Sequence, residues 1–352
     1  MPLSFDHQAL PIRVLFGAGR FAELPDELDQ LGAQRVIVLS TPGKRSLADK
    51  VAALIGHRLA GIFDRCQHSI PIESAEEAAR AAAELDADAT VCIGGGSTIG
   101  HGKWIKCHYG GSLLHVVTTY SGSEMTARQG VIEDGAKRHV RDPKMMADTV
   151  IYDPALTYEL PPEVSGPSGM NALAHATGAL SNREANPLNQ AIAMEAIRAM
   201  HKGLPQAVAD PEDPDGREQA LLGAWLCGMT LGGTAGLHHQ LAHILGGRFG
   251  VTHALAHAIV LPHSCAYNQA AAGPAMQRAA DLLGAASLPR ALYDLGRSVG
   301  IEMTLESQGV REAQLDETAA IAAADPYPNI RPVEQDGVRA LLHDAFEGRR
   351  PR

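Results

Sequence analysis

Ala89-Thr90-Val91-Cys92-Ile93-Gly94-Gly95-Gly96-Ser97-Thr98 joins a short β-branched run to three consecutive glycines and two hydroxyl residues. The run predicts a strand over 89–93, and the residues from Thr98 to Ile105 predict a helix directly after it. Consecutive glycines let a backbone approach a ligand closely, and a helix start turns free N–H groups and a positive end toward the same place. That layout suits a diphosphate. A plain glycine turn is the competing reading, and the G-x-G-x-x-G pattern is absent.

Outward from this turn, the first 155 residues repeat one alternation. Arg35–Ser40 (RVIVLS), Leu113–Thr118 (LLHVVT) and Thr149–Tyr152 (TVIY) predict further strands. Alanine-rich stretches lie between them, such as Ser74–Leu85 (SAEEAARAAAEL), where Ser74 and the following glutamates predict a helix start. Strands alternating with helices predict a parallel sheet covered on both faces. A second small-polar loop, Thr118-Thr119-Tyr120-Ser121-Gly122-Ser123-Glu124, follows the strand after the glycine turn. Adjacent loops at the carboxyl ends of such strands share one ligand crevice, so the pair predicts a dinucleotide site. The earlier strand ends Ser40-Thr41-Pro42-Gly43-Lys44-Arg45, without the acid that usually holds a ribose 2′-hydroxyl. Both NADH and NADPH are therefore expected to serve.

After Asp153-Pro154 the pattern changes to helical spacing, with long Ala/Leu/Met stretches at Asn189–His201, Gln219–Met229 and Ala275–Leu283. Asp210–Gly216 reads as one solvated loop between helices. At 352 residues the chain exceeds the usual single core, and two domains are expected: 1–156, an α/β dinucleotide-binding domain, and 157–352, an all-helical catalytic domain. A net charge of -10 argues against nucleic-acid or anionic-membrane partners. No secretory signal or bilayer-length apolar run is evident, and the five cysteines are scattered without C-x-x-C spacing, so a cytoplasmic location is expected.

Eight of the 16 histidines lie between His175 and His263, and their spacing carries the chemistry. Asn171 and His175 are four apart, as are His239 and His243, and His253 and His257, so each pair shares a helix face. His201 and His238 read as hydrogen-bonded core residues. The pairs predict either a metal site with imidazole ligands or an acid/base and anion-binding pocket. Asn171 offers a neutral, weak ligand where a carboxylate would offset a cation's charge, which favours the metal-independent pocket.

Taken together, FGAGR (Phe16–Arg20), GGGST (Gly94–Thr98), TTYSGSEMT (Thr118–Thr126), RDPKMMADTVIYDP (Arg141–Pro154), SGMNALAHA (Ser168–Ala176), HHQLAHILGG (His238–Gly247), HALAHAIVLPH (His253–His263) and RPVEQDGVRALL (Arg331–Leu342) resemble the iron-containing alcohol dehydrogenase superfamily in order and spacing. Within it the chain is most similar to the maleylacetate reductase branch. The resemblance implies the dehydroquinate synthase-like fold of that superfamily, with the active site in the cleft between its two domains, and commonly a homodimer. It places the superfamily's metal-ligand positions on Asn171, His175, His239 and His253, with Asn171 replacing an aspartate as in the metal-independent branch. It places His243 near the nicotinamide, and Gly95, Gly96, Ser97, Thr118, Thr119 and Lys137 with the cofactor, joined by Ser40 at the end of the earlier strand. Gly178, Trp104, Arg128 and Arg248 depart from the branch pattern.

The implied reaction is NAD(P)H-dependent reduction of the carbon–carbon double bond of maleylacetate to 3-oxoadipate, in aromatic-compound degradation. His175, His239 or His253 would stabilise the enolate and His243 would donate the proton. A dicarboxylate substrate calls for cationic partners, for which Arg128 and Arg248 are candidates beside Asn171. The alternatives are a metal-dependent alcohol dehydrogenase or aldehyde reductase on the same fold, and a nucleotide-binding protein that has lost catalysis.

Overall fold

The structure, a computed structural model, describes residues 5, 7–182, 185–230 and 236–351, with Lys137 by its backbone alone. Two units divide the chain, Met1–Glu159 and Leu160–Arg352.

The first unit runs β1 (Arg13–Phe16), α1 (Leu24–Gln30), β2 (Val36–Leu39), α2 (Arg45–Ile55), β3 (Leu59–Phe63), α3 (Ile72–Glu84), β4 (Ala89–Gly94), α4 (Gly96–His108), β5 (Ser112–Val117), the hairpin β6 (Arg128–Glu133) and β7 (Ala136–Arg141), and β8 (Thr149–Tyr152). Six of these strands form a sheet in the order β1-β8-β5-β4-β2-β3, every neighbour parallel. Every residue of β2, β4 and β8 is buried, which is why these strands read as unbroken apolar runs rather than alternating ones. One face packs Val36, Val38, Val91, Ile93, Leu114 and Val116 against Leu24 and Leu28 of α1 and Leu47, Val51 and Ile55 of α2. On the other face α4 lies so close that a Cβ on Gly102 would sit 2.1 Å from Cys92 Sγ. The predicted parallel sheet with helices on both faces is thus the observed one.

Chain direction across the sheet reverses between β2 and β4: β3 lies beyond β2, while β5, β8 and β1 lie beyond β4. Open α/β sheets take their ligands outside the carboxyl ends of the strands at such a switch point. Ser40 follows β2, the glycine turn ends β4 and Thr118 follows β5, so all three predicted loops leave adjacent parallel strands at one edge.

Several local expectations are corrected. Ser74 does not cap α3. The helix starts two residues earlier, after Pro71, and Ser74 Oγ is buried at 2.9 Å from His101 Nε2. Pro214–Gly216 belong to α7, because Asp213 accepts hydrogen bonds from the N–H groups of Asp215 and Gly216 and so caps that helix inside the predicted loop. Strands β1 and β3 and the β6–β7 hairpin add to the predicted set.

The second unit holds nine helices and no strand among its described residues: α5 (Pro162–Leu180), α6 (Pro187–Ala209), α7 (Pro214–Met229), α8 (Leu237–Phe249), α9 (His253–Asn268), α10 (Pro274–Leu282), α11 (Leu288–Ser298), α12 (Glu312–Ala324) and α13 (Gln335–Phe346). Proline opens α5, α6, α7 and α10, where its missing N–H leaves no intrahelical bond unmade. Arg217 of α7 is fully buried and donates to Ser165 Oγ at 3.0 Å and to the Leu160 carbonyl at 2.9 Å, joining α7 to the start of α5. No helix among the described residues is long and apolar enough to cross a membrane.

Helices α6 and α7 touch backbone to backbone, since a Cβ on Gly203 would stand 2.4 Å from the Ala220 nitrogen. Helix propensity alone favours Gly203→Ala by about 1 kcal/mol. Overpacking against backbone costs about 1–3 kcal/mol and cannot be relieved by a rotamer change, so the expected result is net destabilisation. A thermal melt reads the sign directly. A raised Tm would mean the two helices can part without cost.

Three buried imidazoles away from the main histidine cluster bear on acid stability. Burial depresses His101, drives His115 well below its ordinary range and pushes His263 down to about 4. The folded state therefore binds fewer protons than the unfolded state once pH drops below the unfolded histidine value near 6.5. Stability is whole above that pH and is lost as pH falls toward 4. Urea titrations at pH 7.5 and 5.5 check it, and equal midpoints would refute it.

Candidate active site

In the first unit the glycine turn is shaped for a ligand to lie against backbone. Gly95 precedes α4 with no side-chain cap, so the first N–H groups of the helix have no side-chain acceptor. A Cβ on Gly95 would fall 2.8 Å from Thr119 Oγ1, so only glycine lets the turn and the Thr118–Glu124 loop close together. Ser40 Oγ, Thr98 Oγ1 and Thr119 Oγ1 are buried without a hydrogen-bond partner. Orphaned hydroxyls beside free helix N–H groups are what a sugar–diphosphate would satisfy, and a dinucleotide fits these residues. Gly96 and Ser97 lie in the first turn of α4, and Thr118 is buried at the end of β5.

Two buried charges fix the second loop. Lys103 Nζ donates to the Ser123 carbonyl at 2.5 Å, Thr126 Oγ1 at 3.1 Å and the Arg128 carbonyl at 2.9 Å. Burial pulls this ammonium down to about 7 while Glu124 draws it back up. Glu124 is itself fully buried and accepts from Tyr152 OH at 2.8 Å. The loop is therefore bolted to α4 and β8 from behind. Neither anchor was singled out from the sequence, because a lysine after Gly102 reads as an exposed helical cation until the helix is known to be buried.

In the second unit six imidazoles form one cluster. His175 comes from α5, His238, His239 and His243 from α8, and His253 and His257 from α9. Gly250, left-handed at φ 74°, ends α8 and lets α9 return so that the His253 ring stacks at 5.9 Å on that of His243. His239 Nε2 lies 3.1 Å from His175 Nδ1. The His257 ring sits 4.8 Å from His239 and 4.5 Å from His253. All four predicted catalytic histidines are together, and His257 and His238 join them. His238, read from the sequence as core, is buried, but its ring lies 4.1 Å from that of His239 at a tilt of 49°. His201 and His263 stand apart, the latter against Tyr293.

Burial pushes His175 and His238 down to about 3 and holds His239 and His257 well below their ordinary range, each also repelled by neighbouring imidazoles. These four rings are neutral at pH 7 and act as N–H donors rather than cations. His239 Nδ1, His238 Nε2 and both nitrogens of His257 are buried with no partner, as is Asn171 Oδ1. Nitrogens of His238, His239 and His257, and of His243, His253 and His257, lie within 4.8 Å of one another, close enough to surround a cation. An imidazole nitrogen brings a cation no negative charge, however, and the amide of Asn171 brings none either. The set lacks the carboxylate that would offset the charge of a divalent iron, and it does not fit that ion well.

The predicted cations differ from each other. Arg248 already pairs with Glu317, whereas Arg128 has no carboxylate partner among the described residues and faces Arg141 across the hairpin. Lys137 pairs with Ile132 in that hairpin, and its side chain lies outside the described residues. Tyr327, not predicted, places its hydroxyl 3.3 Å from His243 Nδ1. Trp104 stacks on His108 at 4.0 Å and is a core residue.

Comparison with known proteins agrees across the chain. Residues 11–154 match the iron-containing alcohol dehydrogenase family, and residues 166–346 match the C-terminal region of the same family. A maleylacetate reductase of Burkholderia cepacia is 45% identical over 340 residues, 96% of this chain and 97% of that one. The crystal structure of maleylacetate reductase from Agrobacterium tumefaciens superposes with a TM-score of 0.96 at 40% identity, covering 99% of this chain and 100% of the other. A Ralstonia eutropha protein provisionally assigned as an alcohol dehydrogenase gives a TM-score of 0.95 at 46% identity over 100% of both chains.

Proposed function

The chain belongs to the iron-containing alcohol dehydrogenase family, and we propose that within it this protein reduces the carbon–carbon double bond of maleylacetate to 3-oxoadipate with NADH or NADPH, in the breakdown of aromatic compounds. Full-length similarity to maleylacetate reductases carries the reading, and the neutral histidine cluster supplies chemistry to match it.

Bound NAD(P)H supplies a hydride to the alkene carbon β to the ketone. The protein's own residues do the rest. N–H groups of the Gly95-Gly96-Ser97 turn hold the diphosphate, and Ser40, Thr118 and Thr119 offer hydroxyls to the sugars. Lys137 is assigned to the same cofactor. With no acid after β2, and Arg45 already paired with Asp49 and Asp64, Lys44 is left to tolerate a 2′-phosphate. Hydride addition leaves an enolate, whose oxygen takes hydrogen bonds from His253 and from whichever of His175 and His239 does not spend its N–H on the other. His243 gives the proton to the carbon next to the ketone. Asn171 adds an uncharged contact to substrate. Of the two arginines, Arg128 is the better carboxylate partner because Glu317 already neutralises Arg248.

No step in this scheme requires a metal. The protein works in the cytoplasm as a homodimer, like its family. The deciding experiment follows loss of reduced-nicotinamide absorbance with maleylacetate, before and after chelation. Sustained turnover after chelation supports the reading. Turnover only of alcohols or aldehydes, restored by stoichiometric iron or zinc, would replace it with the metal-dependent alcohol dehydrogenase, and no turnover of any substrate would leave a binding protein.

A further inference from the structure

Tyr327 lies in the segment after α12, 84 residues from His243 in the chain, yet its hydroxyl is 3.3 Å from His243 Nδ1 and the two rings meet edge-on at 6.0 Å. This approach is built rather than incidental. Gln240 stands one helical turn before His243 on α8, so both side chains leave the same side of that helix. Gln240 is buried, and its amide is taken up by the tyrosine's segment. Its Oε1 accepts from the Tyr327 N–H at 3.1 Å, and its Nε2 donates to the carbonyls of Asp325 at 2.8 Å and Ala322 at 3.2 Å. Beyond the tyrosine, Asn329 exchanges two side-chain hydrogen bonds with Asn268 of α9, at 2.9 and 2.8 Å. One clamp from the helix that carries His243 holds the backbone up to Tyr327, and another from the helix that carries His253 holds the Asn329 side chain beyond it.

We infer that Tyr327 is a positioning residue for His243: its phenol donates to Nδ1, which keeps the histidine's proton on Nε2, and it relays a proton as that one leaves. The inference rests on the proposed reductase reaction. In the neutral ring only one nitrogen carries hydrogen, so a donor fixed at Nδ1 selects the tautomer able to protonate carbon through Nε2. As the enolate carbon takes the Nε2 proton, the phenol proton moves to Nδ1 and the negative charge of the enolate passes to the phenolate oxygen. A solvent proton then arrives at Nε2 and the Nδ1 proton returns to the phenolate. One proton is consumed per turnover, as the reduction requires.

Tyr327→Phe deletes the hydroxyl and keeps the ring against His243. The expected result is a fall in kcat of roughly 10–100-fold, the scale seen when the group orienting an active residue is removed. KM values for maleylacetate and NADH stay within about twofold, and Tm is unchanged. The solvent deuterium isotope effect on kcat rises, and the effect of deuterating the transferred hydride shrinks, because proton delivery becomes the slow step. Gln240→Met, which frees the segment without touching the phenol, reproduces part of the kcat loss. Unchanged kcat and isotope effects in Tyr327→Phe would overturn the assignment, as would a kcat loss matched by a lowered Tm, the mark of a packing residue. Failure of the wild-type protein to reduce maleylacetate would instead strike the reductase reading itself, so the two failures are told apart.

Discussion

His243→Ala is expected to lower kcat for maleylacetate reduction by roughly a hundredfold to ten-thousandfold, the range for removing a positioned general acid. The argument rests on the difference between His243 and its neighbours. His175 and His239 are buried and already lie 3.1 Å apart, nitrogen to nitrogen, so one N–H joins the two rings, the other is left for a developing oxyanion, and both rings are badly placed to trade protons with solvent. His243 is only half-buried, stacks on the exposed ring of His253 and has a phenol on Nδ1. It is the member of the cluster that can both give a proton and recover one. The companion variant His239→Ala removes an oxyanion donor, a loss of about 10²–10³ in kcat. Both should bind NADH as the wild type does, measured by quenching of its fluorescence, since the glycine turn and its threonines belong to the other unit. If His243→Ala keeps kcat within threefold, the proton comes from elsewhere and the role of His243 is lost.

What the sequence disclosed about this site follows from the range over which side chains signal each other. The pairs Asn171/His175, His239/His243 and His253/His257 are legible because four residues make one helical turn, and a helix needs no tertiary knowledge to be drawn. The glycine turn is legible because Ala89–Ile93 is buried on both faces and declares itself a strand, which fixes where the glycines must lie. Strand β3 was not legible for the opposite reason. It is an edge strand of partly exposed residues, interrupted by Gly61, whose place in the sheet is set by Leu85 lying where a Cβ would otherwise be, at 2.6 Å. Strand β1 is only four residues at the other edge, with a short apolar run from Val14 to Phe16, and the β6–β7 hairpin is mostly polar.

Long-range partners were closed to the sequence altogether. Nothing local joins His175 to His239 across 64 residues, or Tyr327 to His243 across 84. His238 illustrates the same limit from another side. Beside His239 it points to a different part of the helix surface, and a histidine alone on an apolar helix reads as core. The return of α9 after Gly250 places the His257 ring 5.7 Å away and draws His238 into the cluster. Lys103 and Glu124 are the loop's anchors because α4 is buried from Thr98 to Ile105, a burial no local pattern declares.

Asn171→Asp is expected to make the histidine cluster demand a cation. Asn171 sits one turn before His175 on α5, and its Oδ1 is buried with no hydrogen-bond partner. As a neutral amide it loses about 1–3 kcal/mol by that isolation. A carboxylate in the same place would lose several kcal/mol, because burying an ion without a counter-charge costs far more than burying a dipole. The buried imidazoles of His175, His238, His239 and His257 are held neutral and offer no ready counter-charge. Metal-free Asn171→Asp should therefore melt well below the wild type, with about 2–4 °C lost for each kcal/mol. Zinc or ferrous ion should then be taken up to one equivalent, retained through dialysis and accompanied by recovery of Tm, because a ligand that binds only the folded state stabilises it in proportion to the logarithm of its concentration over Kd. Wild-type protein treated in the same way should show a much smaller shift, having the imidazoles but not the charge. Elemental analysis after dialysis and melting curves with and without metal read the outcome independently of activity. If metal-free Asn171→Asp melts with the wild type and retains no metal, position 171 does not govern the charge balance of the cluster, and the charge argument for a cation-free reaction fails with it.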